Sequence, residues 1–170
     1  MCLYERRMNR MDKNKAVVNF LLDCPYIASS PLFFNFGESL ADNKQIITVA
    51  TDTSTQKPFV DGSVSKRFVF TVIDYKAVAN RPLIDADTDE NLEEMLDVQS
   101  ILEWVNEQGE SRTFPDFGED CVIDRMEAVT DQPNLNGVDR SSTPALAKYS
   151  ISIRIEYIDY SKSIWDKKGA

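Results

Sequence analysis

The sequence predicts an α+β fold: a mainly antiparallel sheet of about five strands with two helices packed on one face. Three stretches carry that expectation. In AKYSISIRIEYIDY, residues 147–160, Tyr149, Ile151, Ile153, Ile155 and Tyr157 fall on one parity, and Lys148, Ser150, Ser152, Arg154 and Glu156 on the other. A period of two held over ten residues marks a strand with one buried face and one wet face, and β-branched and aromatic side chains suit the buried side. KRFVFTVIDYKAV, residues 66–78, is a second strand, with Phe68, Phe70 and Val72 on one face and Val69, Ile73 and Tyr75 on the other. The region 85–109 is the clearest helix. Strands in runs separated by a helix, instead of a βαβ alternation, argue for α+β.

In chain order the expected elements are α-β-β-β-α-β-β. Residues 1–12 show no clean period. From Lys13 to Asp23 a helix is expected, with Val17, Val18, Leu21 and Leu22 as its apolar stripe. Cys24-Pro25 stops it, because proline disfavours helical geometry in the residue before it. LFFNFGES, in which Leu32, Phe34 and Phe36 alternate with Phe33 and Asn35, and KQIITVAT read as two strands of an antiparallel hairpin joined near Ala41-Asp42-Asn43. Residues 51–63, with Pro58 and Asp61-Gly62, read as an exposed loop of the kind that meets partners.

The acidic helix has Asp87 or Thr88 as its expected cap and Gly109 where a C-cap glycine belongs. Its stripe is Leu92, Met95, Val98, Leu102 and Val105, flanked by Leu96, Ile101 and Trp104. Phe114 and Phe117 anchor the bridge that follows. Residues 121–131 alternate imperfectly and read as a strand. Residues 132–144 read as a long polar connection returning to the last strand, and 161–170 as a loose tail apart from Ile164 and Trp165.

At 170 residues the chain is expected to form a single domain. No run approaches the roughly 18 apolar residues of a membrane span, so no membrane association is expected. The basic N-terminus lacks a signal-peptide pattern. Three widely separated cysteines, Cys2, Cys24 and Cys121, suggest reduced thiols in an intracellular setting. A net charge of −9 argues against tight, non-specific nucleic-acid binding, which needs Lys and Arg to neutralise phosphate.

Histidine is absent, which removes the commonest general base and the commonest metal ligand together. DADTDEN matches the start of a calcium loop, but Glu90 stands where glycine is required and Leu96 where glutamate is. The acidic run is better read as a helix N-terminus favoured by the helix dipole. No carboxylate pair is flanked by residues that would raise a pKa, Cys24 has no base, and the six glycines form no phosphate-cradling loop. The aromatics of LFFNF lack the basic residues of a base-stacking platform, so they read as core. No catalytic, cofactor-binding or metal-ligating residue is therefore assigned, and no cofactor.

Along most of its length the chain resembles the tail terminator (tail-completion) proteins of tailed bacteriophages, the type often labelled minor capsid protein in prophages of Gram-positive hosts. The resemblance is carried by the first helix ending in DCP, LFFNFGE, the KRFVFTVIDYKAV strand after a DGS loop, the acidic helix ending ILEWVNEQ, FPDFGED and KYSISIRIEYIDY. It implies a structural virion protein and not an enzyme: a homo-oligomeric ring, usually a hexamer, at the neck or head–tail junction, assembled in the bacterial host cytoplasm. Its implied partners are further copies of itself, the tail tube protein, the head-completion or connector protein, and the sheath protein where the tail is contractile. DNA would pass through the lumen without specific binding. A head–tail connector or head-completion subunit is the alternative within the same machine. A small metal-binding or enzymatic domain using the acidic helix start is the alternative of another class.

Overall fold

The computed structural model describes residues 12–35, 37–48, 57–80, 85 and 89–164. Among these residues two helices, α1 (Lys13–Leu22) and α2 (Glu90–Glu110), cover one mixed sheet of seven strands. These are β1 (Leu32–Phe34), β2 (Lys44–Thr48), β3 (Lys57–Pro58), β4 (Val64–Ala77), β5 (Cys121–Ala128), β6 (Asn134–Asp139) and β7 (Leu146–Asp159). The sheet runs β1-β2-β4-β7-β5, with β3 added on β4 and β6 on β7. The α+β class is thus observed, with more strands than the five expected.

The centre is the antiparallel pair β4 and β7, in register along all fourteen residues of each strand. Their cross-strand neighbours on the core face include Phe70↔Ile153, Val72↔Ile151 and Phe68↔Ile155. Ile151, Ile153 and Ile155 are fully buried against Val17 and Leu21 of α1 and Val98, Ile101 and Val105 of α2. Both helices sit on this one face, touching each other where Phe20 meets Trp104 at a ring-centroid distance of 4.9 Å. Phe117 closes the far end, edge-on to Tyr157 at 5.3 Å and to Phe68 at 5.7 Å. Its expected anchoring role is observed.

Several sequence expectations are corrected. In α1 the buried residues are Ala16, Val17, Phe20 and Leu21, while Leu22 is exposed. The stripe is shifted by about one residue because Phe20 turns inward to Trp104. The first two strands are parallel, not a hairpin, pairing Leu32↔Lys44 and Phe34↔Ile46. The turn at Ala41-Asp42 does form, but Asp42 N–H bonds Tyr75 O at 2.6 Å and Tyr75 N–H bonds Asn43 O at 3.2 Å. The turn is therefore fastened to β4 and delivers β2 antiparallel to β4. Phe36 and the end of KQIITVAT, 49–51, lie outside the described residues, as do residues 51–56 of the expected 51–63 loop.

What is described of that loop is not free. Lys57–Pro58 pairs with β4, and Asp61 accepts hydrogen bonds from Ser63 N–H (3.1 Å) and from Ser163 Oγ (2.9 Å). Ile164 N–H bonds Asp61 O at 2.8 Å, so the stretch leading to Ile164 is fastened and not loose, although the Ile164 side chain itself is exposed. The expected polar connection 132–144 contains β6, which continues the edge begun by β5 along the first residues of β7.

α2 is capped by Asp89, whose Oδ1 accepts from Leu92 N–H at 2.8 Å. The expected caps at 87 and 88 lie outside the described residues. Leu96 of the expected flank is exposed. Gly109 is not the C-cap: the helix runs through it to Glu110, Ser111 caps it, and Arg112 takes the left-handed conformation at φ +58°. A Cβ on Gly109 would stand 2.2 Å from the Met126 carbonyl oxygen. The glycine lets the helix approach β5. Gly109→Ala is therefore expected to destabilise by about 1–3 kcal/mol through overpacking, although alanine gains about 1 kcal/mol in an open helix. Chemical denaturation gives the sign.

At the opposite end of the sheet from β6, Asp159 is buried. Burial raises its pKa, but Lys66 Nζ at 2.6 Å and Ser161 N–H at 3.0 Å outweigh that and hold it well below the ordinary value. A depressed pKa contributes stability that is fully present above the ordinary aspartate value of about 4 and is lost progressively as pH falls from there through the depressed one. Asp159→Asn is accordingly expected to lower the denaturation midpoint at pH 7, with the gap to the unsubstituted chain closing below about pH 4.

Candidate functional site

The most chemically distinctive place lies where the core face of β2 and β4 runs out from under the helices. The even-numbered parity Phe70, Val72 continues as Asp74 and Lys76, and the matching residue on β2 is Lys44, directly opposite Asp74. Lys44 Nζ is 3.1 Å from Asp74 Oδ2 and donates to Ser30 Oγ at 3.1 Å. Both side chains of this pair are almost wholly enclosed, at 4% and 1% exposure. Lys76 Nζ reaches Glu94 (3.0 Å), Asp42 (3.3 Å) and Asp97 (3.3 Å). Loop 25–30, Asp42 and Asp97 close a cleft of about 400 Å³ over these groups.

Charge is uneven here. Asp42, Asp74, Glu94 and Asp97 against Lys44 and Lys76 leave four negative groups to two positive, a balance of −2. Burial pushes the Asp74 carboxyl up, against the fields of Lys44 and Lys76. Lys44 stands at ion-pairing distance from Asp74 Oδ2, while Asp74 Oδ1 has no hydrogen-bond partner. Burial pulls Lys76 down, but its bond to Glu94 and the Asp74 charge hold it above its ordinary value. The cleft thus offers a desolvated acceptor at its floor and exposed carboxylates, Asp42 and Asp97, at its rim.

The opposite, helix-free face of the sheet holds a ladder of alternating charge across β4, β7 and β5. Arg67 pairs with Glu156 at 3.1 Å, Glu156 with Arg154 at 3.8 Å, Arg154 with Glu127, and Glu127 with Arg125 at 2.5 Å. Thr71 and Ser152 hydroxyls meet at 3.1 Å on the same face, beyond Arg154 along β7. The β7 parity expected to be wet is half-buried by these contacts, and Ser150, bonded by Asn136 at 2.7 Å, is buried.

No catalytic, cofactor or metal residue was expected. Among the described residues no group of three or more His, Cys, Asp or Glu side chains is placed to hold a metal ion. Asp87 of the calcium-like stretch lies outside them. Cys24 is fully buried, with its thiol pushed up by that burial, in keeping with a core residue at a helix end. The cleft itself went unread in the sequence. A parity count from Phe70 through Lys76 places Asp74 and Lys76 on the core face, but only the register with β2 shows that Lys44 meets them.

The fold and these surfaces define an α+β protein with a mixed sheet covered by helices on one face. No helix among the described residues is long and apolar enough to cross a membrane. Neither a scan against protein-family models nor a search of curated proteins finds a match to the chain.

Proposed function

We propose that the chain is a structural, non-enzymatic subunit of a phage tail, the tail terminator, which joins copies of itself into a ring that caps the tail tube and meets the head connector. The observation that carries this reading is the state of the sheet's two edges. On one, β5 and β6 and the residue after β5 leave Val122, Val129, Leu135 and Val138 exposed, and every residue of β6 is exposed. On the other, Phe34 of β1 and Leu40 beyond it are exposed. Among the described residues no strand lies outside either edge.

Open edges with apolar side chains are templates for another chain. Two different edges that complement each other make a head-to-tail contact, which closes into a ring when the rotation allows. The ladder on the helix-free face supports the same reading. Each arginine in it is engaged by a glutamate, so the ladder itself presents no free cation to hold passing DNA by its phosphates.

Purified protein added to tail tubes assembled from the tube protein alone tests the reading. Binding at tube ends with arrest of further growth is expected. Failure to bind, with tubes still lengthening, contradicts it.

A further inference from the structure

We infer that the cleft over Asp74 is a receptor for a cationic side chain, and that the group it takes is Arg140 of a second copy of this chain. The inference rests on the proposal that copies join edge to edge. Three features of the molecule converge on it.

The first is the cleft's own chemistry. The Asp74 carboxylate on its floor, 1% exposed, has its Oδ2 paired with Lys44 at 3.1 Å but its Oδ1 without a hydrogen-bond partner, and a buried acceptor atom left so is costly. The surrounding balance of −2 and the exposed rim carboxylates Asp42 and Asp97 favour an incoming cation over an anion. A guanidinium suits such a place, because its planar fork of donors matches carboxylates and it is weakly hydrated.

The second is the donor. Arg140 follows directly on β6, is exposed, and makes no ion pair among the described residues. Its neighbour Asp139 is already occupied, accepting from Ser141 N–H (2.9 Å), Ser141 Oγ (2.6 Å) and Ser142 Oγ (3.0 Å). Those bonds shape the tip of the β6–β7 arm and remove the nearest internal partner for Arg140.

The third is placement. Lys76 of the cleft is opposite Ala147, which is opposite Val138, so the arm tip and the cleft stand at the same end of the sheet. In strand order the cleft belongs to β2 and β4 and the arm to β6, towards opposite edges. A neighbour added side by side and head to tail brings the arm of one copy level with the cleft of the next, a heterologous contact.

Sedimentation velocity over a concentration series tests this, on the unsubstituted chain, Arg140→Gln, Arg140→Lys and the rim double variant Asp42→Asn/Asp97→Asn. The Gln and rim variants are each expected to weaken association about ten-fold or more, the scale of a charge-assisted contact. Arg140→Lys should retain most of the association. Association unchanged in either the Gln or the rim variant overturns the inference and leaves the ring proposal standing. An unsubstituted chain that stays monomeric at every concentration instead defeats the ring proposal. The cleft is then tested by nuclear magnetic resonance, titrating the chain with a synthetic peptide of residues 134–145. Shifts confined to residues 25–30, 42–44 and 97, and lost when the peptide carries glutamine at 140, uphold the cleft as a receptor for a cationic side chain. No shifts overturn it.

Discussion

Ile153→Asp is expected to leave the chain unfolded at room temperature, with circular dichroism and a thermal scan showing no cooperative transition. Ile153 has no exposed surface and lies at the middle of β7, between Phe70 on β4 and Ala128 on β5, beneath both helices. The substitution removes a large apolar side chain and inserts a carboxylate with no partner in reach. Buried unpaired charge and lost packing together cost about 4 kcal/mol or more, against a total stability on the order of 5–15 kcal/mol for a domain. A protein that stayed folded with aspartate there would mean that the face assignment of β7, and with it the position of both helices, is wrong.

Asp74→Asn is expected to destabilise by about 3 kcal/mol, because it leaves the enclosed Lys44 ammonium without its negatively charged partner. The informative companion is Lys44→Met combined with Asp74→Leu. Removing both charges together spares their desolvation, and such replacements are often neutral or stabilising. The double variant should recover most of the loss in a urea titration. A double variant as weak as the single one would show that the pair is held by more than mutual compensation. Lys76 is not expected to substitute for Lys44, since Glu94, Asp42 and Asp97 already engage it.

The parts of the fold legible in the sequence are those where one residue's surroundings are set by its own strand or helix. The alternation of Tyr149 through Tyr157 identified the core face of β7. The spacing of Val98, Leu102 and Val105 placed α2 on the core, and Phe117 was found as an anchor. What escaped depended on partners distant in sequence. LFF reads as a strand whichever way its neighbour runs, and the bonds of Asp42 and Asn43 to Tyr75 make β1 parallel to β2. NLNGVD has too little apolar character to announce β6, which exists because β7 extends past β5 and offers it a ladder. Gly109 looked like a cap because glycine serves both caps and close approaches, and only the Met126 carbonyl distinguishes them.

The cleft shows the same limit. Asp74 and Lys76 sat in plain view within a strand read as apolar on both faces. Their significance comes from Lys44, Asp42 and Asp97, which the sheet register and α2 bring to them. The wet parity of β7 likewise became half-buried once Arg67 of β4 and Glu127 of β5 were set beside it.

The proposed closure of copies into a ring would join two unlike sheet edges. Negative-stain electron microscopy of the purified protein, at concentrations high enough to drive association, tests it most directly. The expected result is closed rings with one fixed number of subunits. Particles the size of a single chain at every concentration, or open filaments without closure, would contradict it.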